Sequence, residues 1–318
     1  MKRILVTGAT GFIGSNLVRL LTLDIDAEVN IILRKNSNTW RLDGVKNIKK
    51  HYVDLSDFNA LCKVVKTINP THIVHCATYG GFPAQDDEKT IFKTNFDGFF
   101  NLLNACSGID YKCFINTGSS SEYGTKSKPM KESDVLEPTT AYGVSKVAAT
   151  LYASYYAKKN NKPVITLRPF SPYGYFEEKQ RLIPSVSINC IKKEDITIGN
   201  PGSVRDFIFI EDVAALFKKI IDNPGLIKPG EAYNLGTGKQ HSVADVVKTC
   251  IELKQSTSKI ISKEEFKRSY DNTVWVADIA KTRKAFDWKP KHSLKEGLEK
   301  TMNWFEKNLH AYEKVGVT

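Results

Sequence analysis

Met1-Lys2-Arg3-Ile4-Leu5-Val6-Thr7-Gly8-Ala9-Thr10-Gly11-Phe12-Ile13-Gly14 opens the chain. The apolar run Ile4, Leu5 and Val6 ends in three glycines, Gly8, Gly11 and Gly14, spaced three residues apart. An apolar pattern with helical spacing follows at once, in Phe12, Ile13, Leu17, Val18, Leu20 and Leu21. This reads as a buried strand, a tight turn and a helix N-terminus. Such a turn presents backbone N–H groups and the positive end of a helix dipole to a pyrophosphate. Glycine lets the backbone bend there and leaves no Cβ in the way of a ligand. A glycine-rich turn with no ligand is the alternative, and the strand before and helix after argue for dinucleotide binding.

Working outward, strands are expected at 3–7, 29–33, 49–53, 72–76, 112–117 and 163–168, with helices at 12–23, 57–67, 88–106 and 140–160. Strands alternating with helices predict a parallel sheet covered on both faces, a Rossmann-type doubly wound α/β fold. Its ligands belong at the carboxyl ends of the strands. Beyond residue 169 the alternation breaks down, starting with the turn chemistry of Ser171-Pro172-Tyr173-Gly174. A helix at 182–192 and a short strand at 195–199 follow; 207–221 and 232–236 return to the first unit, and 242–253 and 293–308 read as mixed α and β. The expected division is residues 1–169 plus about 205–240 for the dinucleotide, and about 170–204 plus 241–318 for a smaller substrate-binding unit.

Bulk composition is that of an ordinary globular protein. Its 318 residues are 41% hydrophobic and 25% charged, enough for one large or two unequal domains. No apolar stretch approaches a membrane span. A core strand at the very start leaves no room for a signal peptide. The six cysteines are scattered without C-x-x-C spacing, as expected of buried thiols in a reducing cytoplasm, and the six histidines form no H-E-x-x-H motif, so no metal is expected. The net charge of +11 comes from lysines spread along the chain. That pattern suits a solvated surface or a polyanionic small substrate better than nucleic acid.

The chemistry-bearing residues lie in two segments. Tyr142 and Lys146, in Ala141-Tyr142-Gly143-Val144-Ser145-Lys146, share one face of an expected helix. A free tyrosine titrates at about 10, and a neighbouring ammonium favours the phenolate. Such a pair can exchange a proton with an alcohol or carbonyl; an exposed helix pair is the alternative. Upstream, the strand at 112–117 runs into Gly118-Ser119-Ser120-Ser121-Glu122-Tyr123-Gly124. A serine hydroxyl there can hydrogen-bond a substrate oxygen as charge develops, although a serine-rich turn alone would look the same.

Together, T-G-x-x-G-x-x-G, the serines before Tyr123-Gly124 and Y-x-x-x-K resemble the extended short-chain dehydrogenase/reductase family. More narrowly, the chain resembles its nucleotide-sugar branch, the NAD-dependent epimerase/dehydratase group. Asp54-Leu55, His75-Cys76-Ala77-Thr78, Asn95, Leu167-Arg168-Pro169, Arg205-Asp206-Phe207-Ile208, Tyr233-Asn234-Leu235-Gly236 and Asp278 through Trp288-Lys289-Pro290 extend the likeness over essentially the whole chain. The resemblance implies that Gly8, Gly11 and Gly14, with the backbone of Phe12 and Ile13, hold the cofactor pyrophosphate. By the same resemblance Asp54 and Leu55 contact adenine, and Ala77 lies on the ribose and nicotinamide side. Tyr142 is implied as general acid/base, Lys146 as ligand of the nicotinamide ribose and support for the tyrosinate, and Ser119 as the catalytic hydroxyl. Arg205 and Arg268 match arginines that pair with the substrate diphosphate, where a guanidinium fork suits phosphate oxygens. Helices 88–106 and 140–160 resemble the pair that forms a homodimer interface in the family.

Three departures narrow this expectation. Arg34 stands at the tip of the second strand, where NAD-preferring members carry an acid; an arginine accommodates a 2′-phosphate, so NADP(H) is favoured and NAD(H) is the alternative. Ser120 and Ser121 replace the Asp-Glu pair that dehydratases place after the catalytic hydroxyl, and Glu122 comes one position late. Ser171 stands where many relatives have an asparagine on the substrate phosphates. The reading is therefore an NADPH-dependent reductase acting at C4 of a nucleotide-activated 4-keto-6-deoxy sugar. A 4-epimerase with tightly bound NAD(P) is the main alternative. A 4,6-dehydratase or a non-catalytic dinucleotide sensor on the same fold comes behind both.

Overall fold

The computed structural model describes residues 1–82, 84–262 and 273–314. Seven strands form one parallel sheet: β1 (Lys2–Thr7), β2 (Ala27–Leu33), β3 (Ile48–Tyr52), β4 (His72–His75), β5 (Cys113–Thr117), β6 (Val164–Pro169) and, far along the chain, a strand at Ala232–Leu235. From one edge the order is Ala232–Leu235, β6, β5, β4, β1, β2, β3. The chain thus winds outward from β1 in one direction to β3 and then in the other from β4. The order reverses between β1 and β4, where Ile4 pairs with His72 and Thr7 with His75. In an open α/β sheet a crevice opens at this switch point, outside the strand carboxyl ends.

Central strands read as continuous apolar runs because both faces are covered. Ile4, Leu5 and Val6 are fully buried. On one face Ile4, Val6 and Ile31 pack against Leu17, Val18 and Leu21 of α1 (Phe12–Leu21), joined by Val213, Phe217 and Ile220 of a helix at Ile210–Asp222. On the other, Leu5 and Ile73 pack with Leu61 and Val65 of α2 (Phe58–Ile68), and with Phe99 and Leu102. Asp57 caps α2 by accepting from Ala60 N–H, and Asn69 ends it in the left-handed conformation.

The helix expected at 88–106 is not regular. It comprises α3 (Glu88–Phe92), a π-helical turn at Lys93–Asp97 and α4 (Gly98–Ala105). The widened turn contains buried Asn95, whose partners explain it below. By contrast α5 (Ala141–Asn160) is one continuous helix, started by the Thr140 hydroxyl accepting from Gly143 N–H and ended at Asn161 in the left-handed region.

After β6 come β7 (Pro172–Tyr173), α6 (Leu182–Lys192), β8 (Ile196–Ile198), β9 (Val204–Arg205) and β10 (Ile208–Phe209). Next are α7 (Ile210–Asp222) and β11 (Ala232–Leu235), the seventh sheet strand. The chain continues through β12 (His241–Ser242), α8 (Val243–Lys254), β13 (Ile260–Ser262), α9 (Ala280–Phe286) and α10 (Leu294–Lys314). The strand pairs β7–β10, β9–β12 and β8–β13 are small separate ladders. The segment 207–221 is therefore a two-residue strand running into a helix, and β11 pairs with β6 through Tyr233 and Leu167. No helix among the described residues is long and apolar enough to cross a membrane.

Candidate active site

The glycine turn sits at the switch point, and each glycine there does a different job. Gly8 has φ +69°, and a Cβ on it would come within 2.4 Å of Ala77 N, so the ends of β1 and β4 meet with no room for a side chain. A Cβ on Gly14 would lie 2.2 Å from the Gly8 carbonyl oxygen, so α1 can dock on the turn only with glycine there. At Gly11 an added Cβ would meet only the Gly8 oxygen, at 3.3 Å, and would project into the space before the turn. Gly11 is also the N-cap of α1 and offers no side-chain cap. The first N–H groups of a helix have no intrahelical partner, so those of Phe12 and Ile13 remain available to an anion. These residues fit a dinucleotide pyrophosphate: an open glycine cradle backed by an uncapped helix N-terminus at the switch point.

At the tip of β2, exposed Arg34 starts a tight turn in which its N–H donates to Ser37 Oγ at 3.0 Å. Asp54, just past β3, accepts from Ser56 N–H at 2.8 Å. That bond, with the charges of Arg34 and Lys93, holds its carboxyl below the usual range. The Arg34 charge is thus near enough to act on Asp54, and Leu55 packs on Gly98 of α4.

The first turns of α5 dock on the carboxyl end of β5. Lys146 is 3% exposed and donates to the Thr117 carbonyl at 2.9 Å. That bond occupies one of the three donors an ammonium carries. Its Nζ lies 5.8 Å from the centre of the Tyr142 ring. A Cβ on Gly143 would be 2.7 Å from the Ser121 carbonyl oxygen, so the serine turn and the start of α5 lie in close contact. On the other side, a Cβ on Gly80 would be 3.5 Å from Cδ2 of Tyr142, which places the loop after β4 over the tyrosine ring. Ser119, Tyr142, Lys146 and Ala77 are thus gathered around the ends of β4 and β5.

Asn95 ties these pieces together. Its amide oxygen accepts from Tyr79 N–H at 2.8 Å and from the Thr78 hydroxyl at 3.1 Å. Its amide nitrogen donates to the Tyr79 carbonyl at 2.8 Å and to Ser145 Oγ at 2.9 Å. Ser145 Oγ in turn donates to the Tyr142 carbonyl at 2.7 Å. One side chain fixes both the loop above the tyrosine and the helix beneath it. The π-helical turn brings Asn95 to that position, as such insertions often do at functional sites.

The serine turn rests on a buried ion pair. Ser119 Oγ accepts from Ser121 N–H at 3.1 Å, and the Ser119 N–H donates to Glu122 Oε1 at 2.9 Å. Glu122 Oε2 receives Arg168 Nε at 2.7 Å, with both side chains almost wholly buried. Burial pushes the Glu122 carboxyl upward, and the Arg168 charge and the Ser119 N–H pull it back. Arg168 also donates to the Tyr123 hydroxyl at 2.9 Å, which donates to Asn234 Oδ1 at 2.6 Å. The carboxylate that comes one position late in the sequence is therefore a support beneath Ser119, held away from the crevice. Nearby, burial drops His75 to about 3 and pushes the Cys76 thiol up to about 11, so both are neutral near pH 7.

On the far side, Ser171 adopts φ +28° and its carbonyl accepts from Ile208 N–H at 3.4 Å. Arg205 lies on β9, donates to Ser203 Oγ at 2.8 Å and to the Val204 carbonyl at 2.6 Å, and stacks over Trp275 at 5.5 Å. Its neighbour Asp206 is fully buried and accepts from Thr237 N–H, Gly238 N–H and Ala277 N–H at 2.8, 3.0 and 3.1 Å, clamping two loops beside the arginine. Arg268 lies outside the described residues. Sequence reasoning did not find the Glu122–Arg168–Tyr123–Asn234 chain. Its bonded partners are up to 111 residues apart, and no local pattern joins them.

Comparison with known proteins agrees with this geometry. Residues 4–236 match the NAD dependent epimerase/dehydratase family. The chain is 27% identical to human dTDP-D-glucose 4,6-dehydratase, covering 99% of this chain and 93% of that protein. It is 27% identical to UDP-glucuronate 4-epimerase of Thermodesulfobacterium geofontis, with both chains fully covered. Among solved structures, an epimerase from Methanothermobacter thermautotrophicus superposes with a TM-score of 0.89 at 28% identity, covering 98% of this chain and 94% of that one. A glycine cradle at the switch point, with Tyr142 and Lys146 beside it and a family match over most of the chain, makes this protein an enzyme of the extended short-chain dehydrogenase/reductase type, a member of the NAD dependent epimerase/dehydratase family.

Proposed function

We propose that the protein interconverts a hydroxyl and a ketone at C4 of a nucleotide-activated sugar, with 4-epimerisation as the net reaction. The observation that carries this reading is the grouping of Tyr142, Lys146 and Ser119 at the strand ends beside the glycine cradle. The dinucleotide, held by Gly8, Gly11, Gly14, Phe12 and Ile13, supplies hydride acceptance and return. Tyr142 takes the C4 hydroxyl proton and later gives it back. Ser119, positioned by Glu122, hydrogen-bonds the same oxygen as its charge changes. Lys146 stabilises negative charge on the tyrosine oxygen and offers its remaining donors to the ribose. Ala77 lines the nicotinamide side, with Asp54 and Leu55 toward adenine. Arg205 and Ser171 grip the diphosphate, and Arg268 is proposed to join them. Dehydration is disfavoured because Ser120 and Ser121 supply no carboxylates and Glu122 is engaged by Arg168. Of the three named relatives two are epimerases and one is a dehydratase; with dehydration disfavoured, they incline the net reaction toward epimerisation rather than simple reduction.

Arg34 supports a second reading, the NADPH-dependent reduction of a 4-keto-6-deoxy sugar nucleotide. The two separate in one experiment. Epimer formation from a nucleotide sugar without net cofactor consumption supports the first; stoichiometric NADPH oxidation with a 4-keto sugar nucleotide supports the second. In either case the wild type is expected to bind NADPH more tightly than NADH. Arg34→Ala then weakens NADPH binding about 10-fold or more, the worth of a charged hydrogen bond, and leaves NADH unchanged in a fluorescence titration. Equal losses for both cofactors would assign Arg34 to adenine stacking alone.

We also propose a cytoplasmic homodimer. Phe92, Phe100, Val144, Leu151 and Tyr155 are exposed on adjacent α3, α4 and α5, an apolar surface that a second copy would cover.

A further inference from the structure

Arg41 is a buried guanidinium outside every motif discussed so far. It is 7% exposed, and its three bonds tie two separate segments together. One amino group reaches the Thr10 carbonyl of the glycine turn at 3.3 Å. Its Nε donates to the Phe176 carbonyl at 2.7 Å, and its other amino group pairs with Glu178 at 2.5 Å. Asn16 of α1 adds a parallel tie, donating to the Tyr175 carbonyl at 2.9 Å.

The segment 175–181 that these bonds hold runs from the end of β7 into α6, beside the glycine turn and α1. Its backbone is strained, since Phe176 sits at φ +65°, a conformation bulky residues rarely adopt. Trp304 packs on the Phe176 ring, and the Tyr312 hydroxyl of α10 donates to the Glu177 carbonyl at 2.8 Å. At the segment's far end the Arg181 guanidinium stacks 5.4 Å from the centre of Phe82, in the loop that lies over Tyr142. The segment therefore touches the cofactor turn at one end and the loop over the candidate catalytic tyrosine at the other.

We infer that Arg41 is a positioning residue that couples cofactor binding to nucleotide-sugar binding through the segment 175–181. This rests on the proposed function for the identity of the two ligands, and on the Arg41 bonds for the coupling. A dinucleotide that orders the glycine turn fixes the Thr10 carbonyl and with it the guanidinium. The strained segment is then already ordered when the second ligand arrives, and that ligand meets a smaller ordering cost. Linkage requires the effect to be reciprocal.

The test is calorimetric titration of the intact protein with UDP and with dTDP, each in the absence and presence of saturating NAD+ or NADP+. In the wild type the cofactor is expected to tighten the better-bound nucleotide about 5-fold or more, the ordinary range of such couplings. In Arg41→Met the factor falls to about 2-fold or less, while nucleotide affinity without cofactor stays close to wild type; a residue with a merely structural role would weaken both titrations together. Glu178→Gln, a change at a partly exposed carboxylate, keeps the inference testable should Arg41→Met fail to fold, and reduces the factor part of the way. A wild type whose nucleotide affinity ignores cofactor, or variants that retain the wild-type factor, overturn the coupling and leave the proposed function standing. A protein that binds neither of these nor CDP or GDP overturns the proposed function, and the coupling with it.

Discussion

Tyr142→Phe is expected to lower turnover by roughly 10²–10⁴-fold, the range lost when a positioned proton-transfer group is removed, with the fold and cofactor affinity intact. The substitution deletes one oxygen. The ring, which the loop at Gly80 covers and the Lys146 ammonium faces, keeps its place. The carbonyl of residue 142 still accepts from Ser145 Oγ, so the tie through Asn95 to the loop after β4 survives as well. Steady-state rates with a nucleotide sugar, beside a cofactor titration on the same preparation, check this. A fall in kcat with unchanged cofactor binding supports proton transfer by Tyr142. A loss smaller than about 10-fold would remove the tyrosine from that role and shift attention to Ser119. Ser119→Ala is expected to cost less than Tyr142→Phe, because a hydrogen-bonding hydroxyl contributes one interaction to the changing charge while the tyrosine moves the proton itself.

Why was so much of this site legible beforehand? Gly8, Gly11 and Gly14 are dictated by local backbone geometry: two meet atoms within 2.4 Å of a would-be Cβ, and the third meets only the Gly8 oxygen, at 3.3 Å. Constraints of that kind act over a few residues and leave a short motif. Tyr142 and Lys146 are one helical turn apart, so their shared face follows from helix periodicity alone. The same holds for the parallel sheet, whose buried strands read as apolar runs between helical patterns.

What stayed hidden is non-local. The π-helical turn at Lys93–Asp97 interrupts a helix whose apolar pattern looked continuous. Its cause is the set of bonds from Asn95 to Thr78, Tyr79 and Ser145, up to 50 residues away. Glu122 looked like a misplaced catalytic acid because its partner, Arg168, is on another strand. Arg41 belongs to no motif of the sequence, and only the folded backbone brings Thr10, Phe176 and Glu178 to it. Propensity and periodicity carry no information on such pairings.

Arg168→Met is expected to destabilise the protein by about 3–5 kcal/mol, the cost of leaving a buried charge without its partner. Glu122 has no route to solvent: its side chain is fully buried, and the Ser119 N–H remains as a donor to it. Without the guanidinium, burial dominates and raises the carboxyl further, so the folded state binds a proton that the unfolded state has released. Stability then falls as pH rises above the ordinary glutamate value of about 4.3. The deficit of Arg168→Met relative to wild type should accordingly be small near pH 4 and grow toward neutrality, measured as urea midpoints across that range. Glu122→Gln combined with Arg168→Met removes the orphaned charge and should recover much of the loss near neutral pH, since replacing both members of a buried pair is far milder than breaking it. The double variant also separates stability from chemistry. The amide oxygen introduced by Glu122→Gln can still accept from the Ser119 N–H, so Ser119 keeps its position and much of the activity should return with the fold. A single variant that costs less than about 1 kcal/mol at pH 7, as an exposed pair would, would mean that the serine turn does not depend on the ion pair beneath it.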